Sequence, residues 1–231
     1  MIVAIDGPAG TGKGTISKLI SERLNFLCID TGAMYRAVTL NLIRNKKTLD
    51  DLDGILEVLK DTNIELIIDE VEGQKTYLNG EDVSGKIRMP DVTSLVSPVS
   101  AIKEIREKLV ELQRKFANGK NIVMEGRDIT TVVFPNADVK IYLTAEQEER
   151  AKRRYKEMIE KGIETTFDEV YESIKKRDEN DINKEYGALK IADDAIVIDS
   201  TSMNIEEVYE RVKEIIMSKN NLWKEVKNGL G

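Results

Sequence analysis

Four glycines, Gly7, Gly10, Gly12 and Gly14, surround a single lysine, Lys13, in the run GPAGTGKGT near the start of the chain. The spacing Gly7-x4-Gly12-Lys13 fits a phosphate-binding loop, with Gly14-Thr15 where the commoner form has Ser or Thr directly after the lysine. Glycines let consecutive backbone N–H groups turn inward around a phosphate without Cβ clashes, and a helix that follows points its positive end at the same place. Lys13 would reach the outer phosphates as a mobile point charge, and Thr15 could bond a phosphate or orient a magnesium water. Pro8, Ala9 and Thr11 complete the loop. This pattern predicts binding of a nucleoside triphosphate and leaves open what is done with it.

Three further polar clusters fall where strands are expected to end: Asp30-Thr31-Gly32 with Tyr35 and Arg36, Gly126-Arg127-Asp128, and Thr144 leading into a charged segment. Any one of them could be helix capping plus ion pairing. In a parallel sheet, however, ligands bind at the carboxyl ends of the strands, so all three should face the cleft of Lys13. In AEQEERAKRRYKEM, Arg150, Arg153 and Arg154 lie at i, i+3 and i+4, roughly on one helical face. A structural reading pairs Glu146 with Arg150 and Glu149 with Arg153. A functional reading makes the segment a mobile lid bringing guanidinium groups onto a phosphoryl group in flight, where an arginine can be worth ~10³–10⁵ in rate. Gly162 is the expected hinge. Arg177, Asp181 and Lys184 follow at spacings of four and three, one face of a helix if the segment is helical and, on spacing alone, a surface charge network.

The elements that must position these groups alternate. An apolar strand at 2–5 enters the glycine loop, a helix covers 16–24, and a short strand at 26–29 precedes a helix capped by Asp30 or Thr31, carrying Met34, Val38, Leu42 and Ile43 inward. From about residue 61 the pattern changes to short alternating runs, with a turn at residues 72–73 and a hairpin signal at Asn79-Gly80. This reads as a small antiparallel insertion over 61–88, reaching to about 96. Helical spacing resumes through Ile102, Ile105, Leu109 and Leu112 and stops near Gly119. Strands at NIVM, VKIYL and AIVID and helices at about 146–161, 167–176 and from NIEEVYERVKEII complete the pattern. The expectation is an α/β fold: a parallel sheet core flanked by helices on both faces, with the antiparallel insertion and a helical lid at about 150–168. One domain over 1–218 and a polar, frayed or surface-docked tail at 219–231 carrying Trp223 are expected.

Composition narrows the chemistry. The 231 residues contain no histidine, which removes His-ligated metals, Ser-His and Cys-His pairs and imidazole acid–base catalysis. A lone cysteine, Cys28, within an apolar run reads as a small core residue. A net charge of −7 argues against broad nucleic-acid binding. No apolar run approaches the ~20 residues of a membrane span, and Met1 leads straight into the first strand without an export signal, so no membrane association and a cytoplasmic location are expected.

Taken in order, GPAGTGKGT, DTGAMYRA, SPVSAIKEIR, EGRDITTVVFPNADVKIYLTA, ERAKRRY, RDENDINK and IDST resemble the bacterial cytidylate kinases, a branch of the nucleoside monophosphate kinases with the P-loop NTPase fold. The resemblance covers nearly the whole chain and implies transfer of the γ-phosphoryl group of ATP to CMP or dCMP, with magnesium carried by ATP near Thr15 and Asp30. It implies that Gly7 to Thr15 hold ATP, that Thr31 belongs to the CMP site, that Tyr35, Arg36 and Arg127 border or hold the acceptor phosphate, and that Ser97, Arg106 and Asp128 read the cytosine. Arg177 and Asp181 would hold the ribose, while Arg153 and Arg154 would close from the lid; Lys13, Arg127, Arg153 and Arg154 would then be catalytic. The insertion matches the extra small sheet of this branch, and a monomer is expected. Three departures stand out. Lys184 replaces a usual Arg, which turns a bidentate phosphate contact into a single-point one. Thr130 replaces a common Gly, and YGAL after Lys184 lacks a proline. The rival readings are a shikimate- or gluconate-type kinase, with Asp30 or Asp128 as base, and a nucleotide-dependent switch, for which the Asn-Lys-x-Asp guanine motif is absent.

Overall fold

The computed structural model describes residues 1–69 and 73–228, with side chains described to 67 and over 74–220. Five strands form one parallel sheet: β1 (Ile2–Asp6), β2 (Leu27–Asp30), β6 (Ile122–Gly126), β7 (Val139–Thr144) and β8 (Ile196–Asp199), in the order β2-β6-β1-β7-β8. Period-two alternation in β1 sends Val3 and Ile5 to one face and Ala4 to the other. Val3 and Ile5 pack under α1 (Lys13–Leu24) and α8 (Ile205–Asn228) with Ile16, Ile20, Tyr209 and Val212. Ala4 packs with Met124, Ile129 and Val110 of α5 (Lys103–Phe116). Burial on both faces makes the inner strands β1, β6 and β7 near-continuous apolar runs, as a parallel sheet requires, while Ile196 and Val197 of the edge strand β8 are exposed.

The insertion is a three-stranded antiparallel sheet of β3 (Ile64–Asp69), β4 (Gly73–Leu78) and β5 (Glu81–Asp82). Asn79 and Gly80 both take positive φ, 51° and 82°, the two-residue hairpin read from the sequence. It does not stand apart: Ile64 and Leu78 share a core with α2 (Thr31–Arg44), α3 (Leu52–Lys60), α4 (Pro90–Val99) and α5. The turn read at residues 72–73 reaches outside the described residues.

Several boundaries differ from the sequence reading. The first helix begins at Lys13, not 16, because its first turn is the glycine loop itself, whose apolar periodicity starts later. Helices α3 and α4 escaped it: α4 carries Pro98 in its last turn, and a proline there masks a helix that is already ending. The segment read as 167–176 is α7 (Phe167–Asn183), capped by a Thr166–Glu169 capping box, so Arg177 and Asp181 are helical and Lys184 caps the end. The last helix continues into the expected tail as far as Asn228; the side chain of Trp223 lies outside the described residues.

Between the sheet and α7 stands α6 (Gln147–Glu160), which ends at Gly162 with the N–H of Ile163 on the Met158 carbonyl (3.0 Å) and that of Gly162 on Ile159 (2.9 Å). Helices α6 and α7 hold a small core of their own, Ala151, Val170 and Ile174 with Tyr155, Met158, Phe167 and Tyr171.

Candidate active site

The glycine loop joins β1 to α1 at the carboxyl end of the sheet. Gly7 lies so close to β7 that a Cβ would come 2.0 Å from the Leu143 carbonyl oxygen, so only glycine lets the loop leave the sheet here. Lys13 is buried, donating to the Pro8 carbonyl (2.7 Å) and lying 3.5 Å from the Thr11 hydroxyl, which itself donates to Pro8 (3.2 Å). Burial lowers its pKa well below the usual lysine range, and Arg127 lowers it further. Gly14 and Thr15 are exposed at the start of α1.

The loop is buckled from the lid side. Arg150, 6% exposed, does not pair with Glu146 as the spacing suggested; it donates to the Ala9 carbonyl (3.0 Å) and pairs with Asp178 of α7 at 2.6 Å. The correction has a simple cause: the packing of α6 on the loop turns that face inward, where Gly10 lies against Arg150. Glu149–Arg153 is present at 3.1 Å, and Arg153 also donates to the Ser200 carbonyl at 2.6 Å beyond β8. Arg154 pairs with Glu157 at 2.7 Å and stays part exposed.

Two carboxylates stand side by side on neighbouring strands, and one of them, Glu125, acts on Lys13. Asp30 and Glu125 are register partners at the ends of β2 and β6, and a Cβ on Gly14 would meet Glu125 Oε1 at 2.8 Å. Burial raises the Glu125 pKa to about 7, with Asp30 adding to the rise. Sequence reading stopped at the Gly126-Arg127-Asp128 cluster and missed Glu125; its place directly before that cluster at a strand end was the available clue. Asp30 caps α2 through the Ala33 N–H (3.1 Å), pairs with Arg88 (3.1 Å) and accepts no bond from Thr31, whose hydroxyl donates to the Glu125 carbonyl at 2.7 Å.

Asp6, also unread, organises the turn that follows Asp128. Fully buried at the end of β1, it accepts the Ile129 N–H (2.9 Å), the Thr130 N–H (2.7 Å) and the Thr130 hydroxyl (2.6 Å). Thr130 thus anchors the turn at Ile129–Val133 beside Asp128. Asp128 is buried against Arg106, whose guanidinium also donates to the Ser100 carbonyl (3.2 Å) and lies 5.5 Å from the Tyr35 ring centroid. Burial raises the Asp128 pKa to about 6 despite Arg106. Ser97 Oγ and Arg177 Nε are buried with no partner among the described residues. Native interiors leave few such atoms, so polar groups of a ligand are the natural complement.

From Asp128 the charges continue outward. Asp181 accepts from Arg127 Nε and Lys184 Nζ, each at 2.7 Å, and Lys184 also donates to Ser100 Oγ at 2.9 Å. Burial opposes ionisation of Asp181, but Arg127 and Lys184 outweigh it and hold its pKa at about 2. Arg36 donates to the Ile87 carbonyl (3.2 Å) and the Thr93 hydroxyl (2.7 Å). Burial depresses Arg36 to about 10, with Arg88, Arg154 and Arg127 contributing; burial also depresses Arg177 to about 10, with Arg127, Arg36 and Arg154 adding to it. Lys13, Arg36, Arg127, Arg154 and Arg177 therefore feel one another across a single basin. Arg153 faces the loop after β8 instead, and Tyr35 lies under Arg106.

The profile of the family described as cytidylate kinase matches residues 3–218. The chain is similar to a cytidylate kinase of Caldicellulosiruptor bescii, 50% identical over 92% of this chain and 94% of that protein. It is also similar to one of Fusobacterium nucleatum, 51% identical over 94% and 97%. Among solved structures, an uncharacterized protein from Eubacterium ventriosum shares the fold at a TM-score of 0.51 and 16% identity, covering 94% of this chain and 98% of that one.

Proposed function

The chain belongs to the cytidylate kinase family, and we infer from that membership and from the cationic basin that it transfers the γ-phosphoryl group of ATP to CMP or dCMP, giving ADP and CDP or dCDP. The observation that carries the chemistry is the convergence of Lys13, Arg36, Arg127, Arg154 and Arg177 on one basin, where burial and then neighbouring guanidinium groups depress Lys13, Arg36 and Arg177, while Asp181 keeps Arg127 firmly charged. Mutually repelling cations held this way favour a ligand with several negative charges.

The glycine loop binds the ATP phosphates through its N–H groups, with Lys13 on the outer ones. The acceptor phosphate, whose second pKa is near ~6, is already a nucleophile at neutral pH, so no general base is needed and the absence of histidine costs nothing. Arg36 and Arg127 orient that phosphate, and Arg154 approaches from the lid; fixed cations around the equatorial oxygens stabilise charge as the γ-group passes in line. Arg153 steadies the lid against the Ser200 and Thr201 carbonyls. Asp30 and Glu125, side by side with Glu125 against Gly14 at the start of α1, would hold a hard divalent cation partly through water and phosphate oxygens. Magnesium bound there would neutralise charge on the β- and γ-phosphates.

Asp128, oriented by Arg106, accepts from the cytosine 4-amino group, whereas the uracil 4-oxygen would set two acceptors face to face; Ser97 supplies a further polar contact. Arg177 with Asp181 lies toward the ribose. The enzyme is proposed to act as a monomer in the cytoplasm on free nucleotides, with no nucleic-acid or membrane partner; among the described residues no helix is long and apolar enough to cross a membrane.

The test is ADP release from magnesium-ATP with CMP, dCMP, UMP, AMP and shikimate offered singly. Turnover confined largely to CMP and dCMP is expected. Turnover with shikimate alone would replace this reading with that of a hydroxyl-phosphorylating kinase.

A further inference from the structure

The turn that follows α7 comes down directly on Arg106. Gly187, at φ +67°, lies so close that a Cβ there would be 2.0 Å from Arg106 Cζ, 2.3 Å from Nη2 and 2.4 Å from Nε. The far end of an arginine can often swing away from such an intruder. This one cannot do so freely: Arg106 is 7% exposed and held by Asp128, by the Ser100 carbonyl and over the Tyr35 ring. The turn is pinned as well. Lys184 at one end bonds Asp181 and Ser100, and at the other the Leu189 N–H donates to the Asp181 carbonyl at 2.7 Å, with the Leu189 side chain buried.

We propose that Gly187 is a positioning residue for base selection: its missing side chain lets the turn over 185–189 roof Arg106 and press the guanidinium against Asp128. The inference rests on the reading of Arg106 and Asp128 as the cytosine-recognising pair. A side chain at 187 forces one of two changes. Either the guanidinium leaves Asp128, or the turn lifts and opens the pocket to water. In the first case a buried Asp128 without its cation takes up a proton more readily and turns from acceptor to donor, which suits the uracil 4-oxygen. In the second, the unpaired pocket groups are satisfied by water for either base. Both narrow the preference for cytosine over uracil, and neither touches the glycine loop.

The experiment compares wild type, Gly187→Ala, Arg106→Ala and the double variant in steady-state kinetics with CMP, dCMP and UMP varied at saturating magnesium-ATP, and with magnesium-ATP varied at saturating CMP. For Gly187→Ala we expect KM for CMP to rise about tenfold, the CMP-to-UMP ratio of kcat/KM to fall by a similar factor, and KM for ATP to stay within about twofold. Left-handed backbone strain alone would lower stability without moving selectivity. In the Arg106→Ala background, adding Gly187→Ala should change KM for CMP by less than about twofold, because the contact is already gone. Equal losses in both backgrounds, or wild-type selectivity in Gly187→Ala, would overturn the inference. If Gly187→Ala does not fold, Gly187→Asn, which tolerates positive φ but carries a Cβ, takes its place with the same expectations. Should Arg106→Ala itself leave selectivity intact, the base-reading role fails first; a selectivity loss in Arg106→Ala without one in Gly187→Ala removes only the role of Gly187.

Discussion

Lys13 and Asp128 are both buried charges whose burial favours the neutral form, and each is expected to report its role through a different measurement. Replacing Lys13 by Met keeps the stem and removes the charge nearest the outer phosphates; kcat should fall about 10²–10³-fold, read in the coupled ADP assay. Asp128 must be ionised to accept from a 4-amino group, and its pKa is raised to about 6. The ratio of kcat/KM for CMP to that for UMP, in which titration of the acceptor phosphate cancels, should therefore be flat above pH 7 and fall as pH drops through about 6, with Asp128→Asn flattening that profile. A profile unchanged to pH 5 would remove Asp128 from base recognition. Thr130 has the opposite character: its hydroxyl adds a third donor to buried Asp6, so Thr130→Val should cost about 1–3 kcal/mol in urea unfolding.

At the scale of elements, the coupling between the lid and the glycine loop runs through one side chain. Arg150 reaches from α6 to the Ala9 carbonyl and to Asp178 of α7, with both partners of the pair nearly excluded from water. Arg150→Met leaves Asp178 buried without its cation and the loop carbonyl without its donor. The expected outcome is a loss of about 3–5 kcal/mol in denaturant unfolding, and a raised KM for ATP while KM for CMP moves little. Equal effects on both substrates would mean that Arg150 supports the whole cleft. The α6–α7 pair has an apolar core separate from the sheet, and Gly162, expected to be the hinge, lies in the turn between the two helices, inside that unit.

For the molecule as a whole, acid stability follows from two carboxyls with opposite shifts. The folded pKa of Asp181 is about 2, against 3.8 for an ordinary aspartate, so its contribution is full above pH 4 and is lost as pH falls toward 2. The value for Asp128 is raised to about 6, so its burial costs stability above pH 6, and that cost is relieved as pH falls toward 4. Thermal midpoints should therefore decline steeply only below pH 4, and Asp181→Asn, weaker at neutrality, should decline less over that interval. The net charge of −7 coexists with a cationic basin, so nucleotide binding is local electrostatics against a repelling background. Raising salt from about 0.05 to 0.5 M should increase KM for both substrates, because screening acts most on charges that remain partly exposed, such as Arg154.

The glycine loop, the alternation of strands and helices and the Asn79-Gly80 hairpin were legible because each is a local pattern: turn geometry, period and spacing are decided within a few residues. The motif order also pointed to the family and thus to the substrate. What stayed out of reach depends on neighbours far along the chain. Asp6 and Glu125 looked like ordinary strand-end acids, and only the pairing of β1 and β2 with β6 brought Asp6 to Thr130 and Glu125 to Asp30. Arg150 read as half of a solvated Glu146 pair, and the packing of α6 on the loop buried it against Asp178 instead. Gly187 read only as part of YGAL, a segment that stood out for its missing proline and not for its glycine. Its importance arises from the approach of that loop to Arg106, some eighty residues earlier, a proximity fixed by the packing of α7 beside α4 that no local propensity encodes.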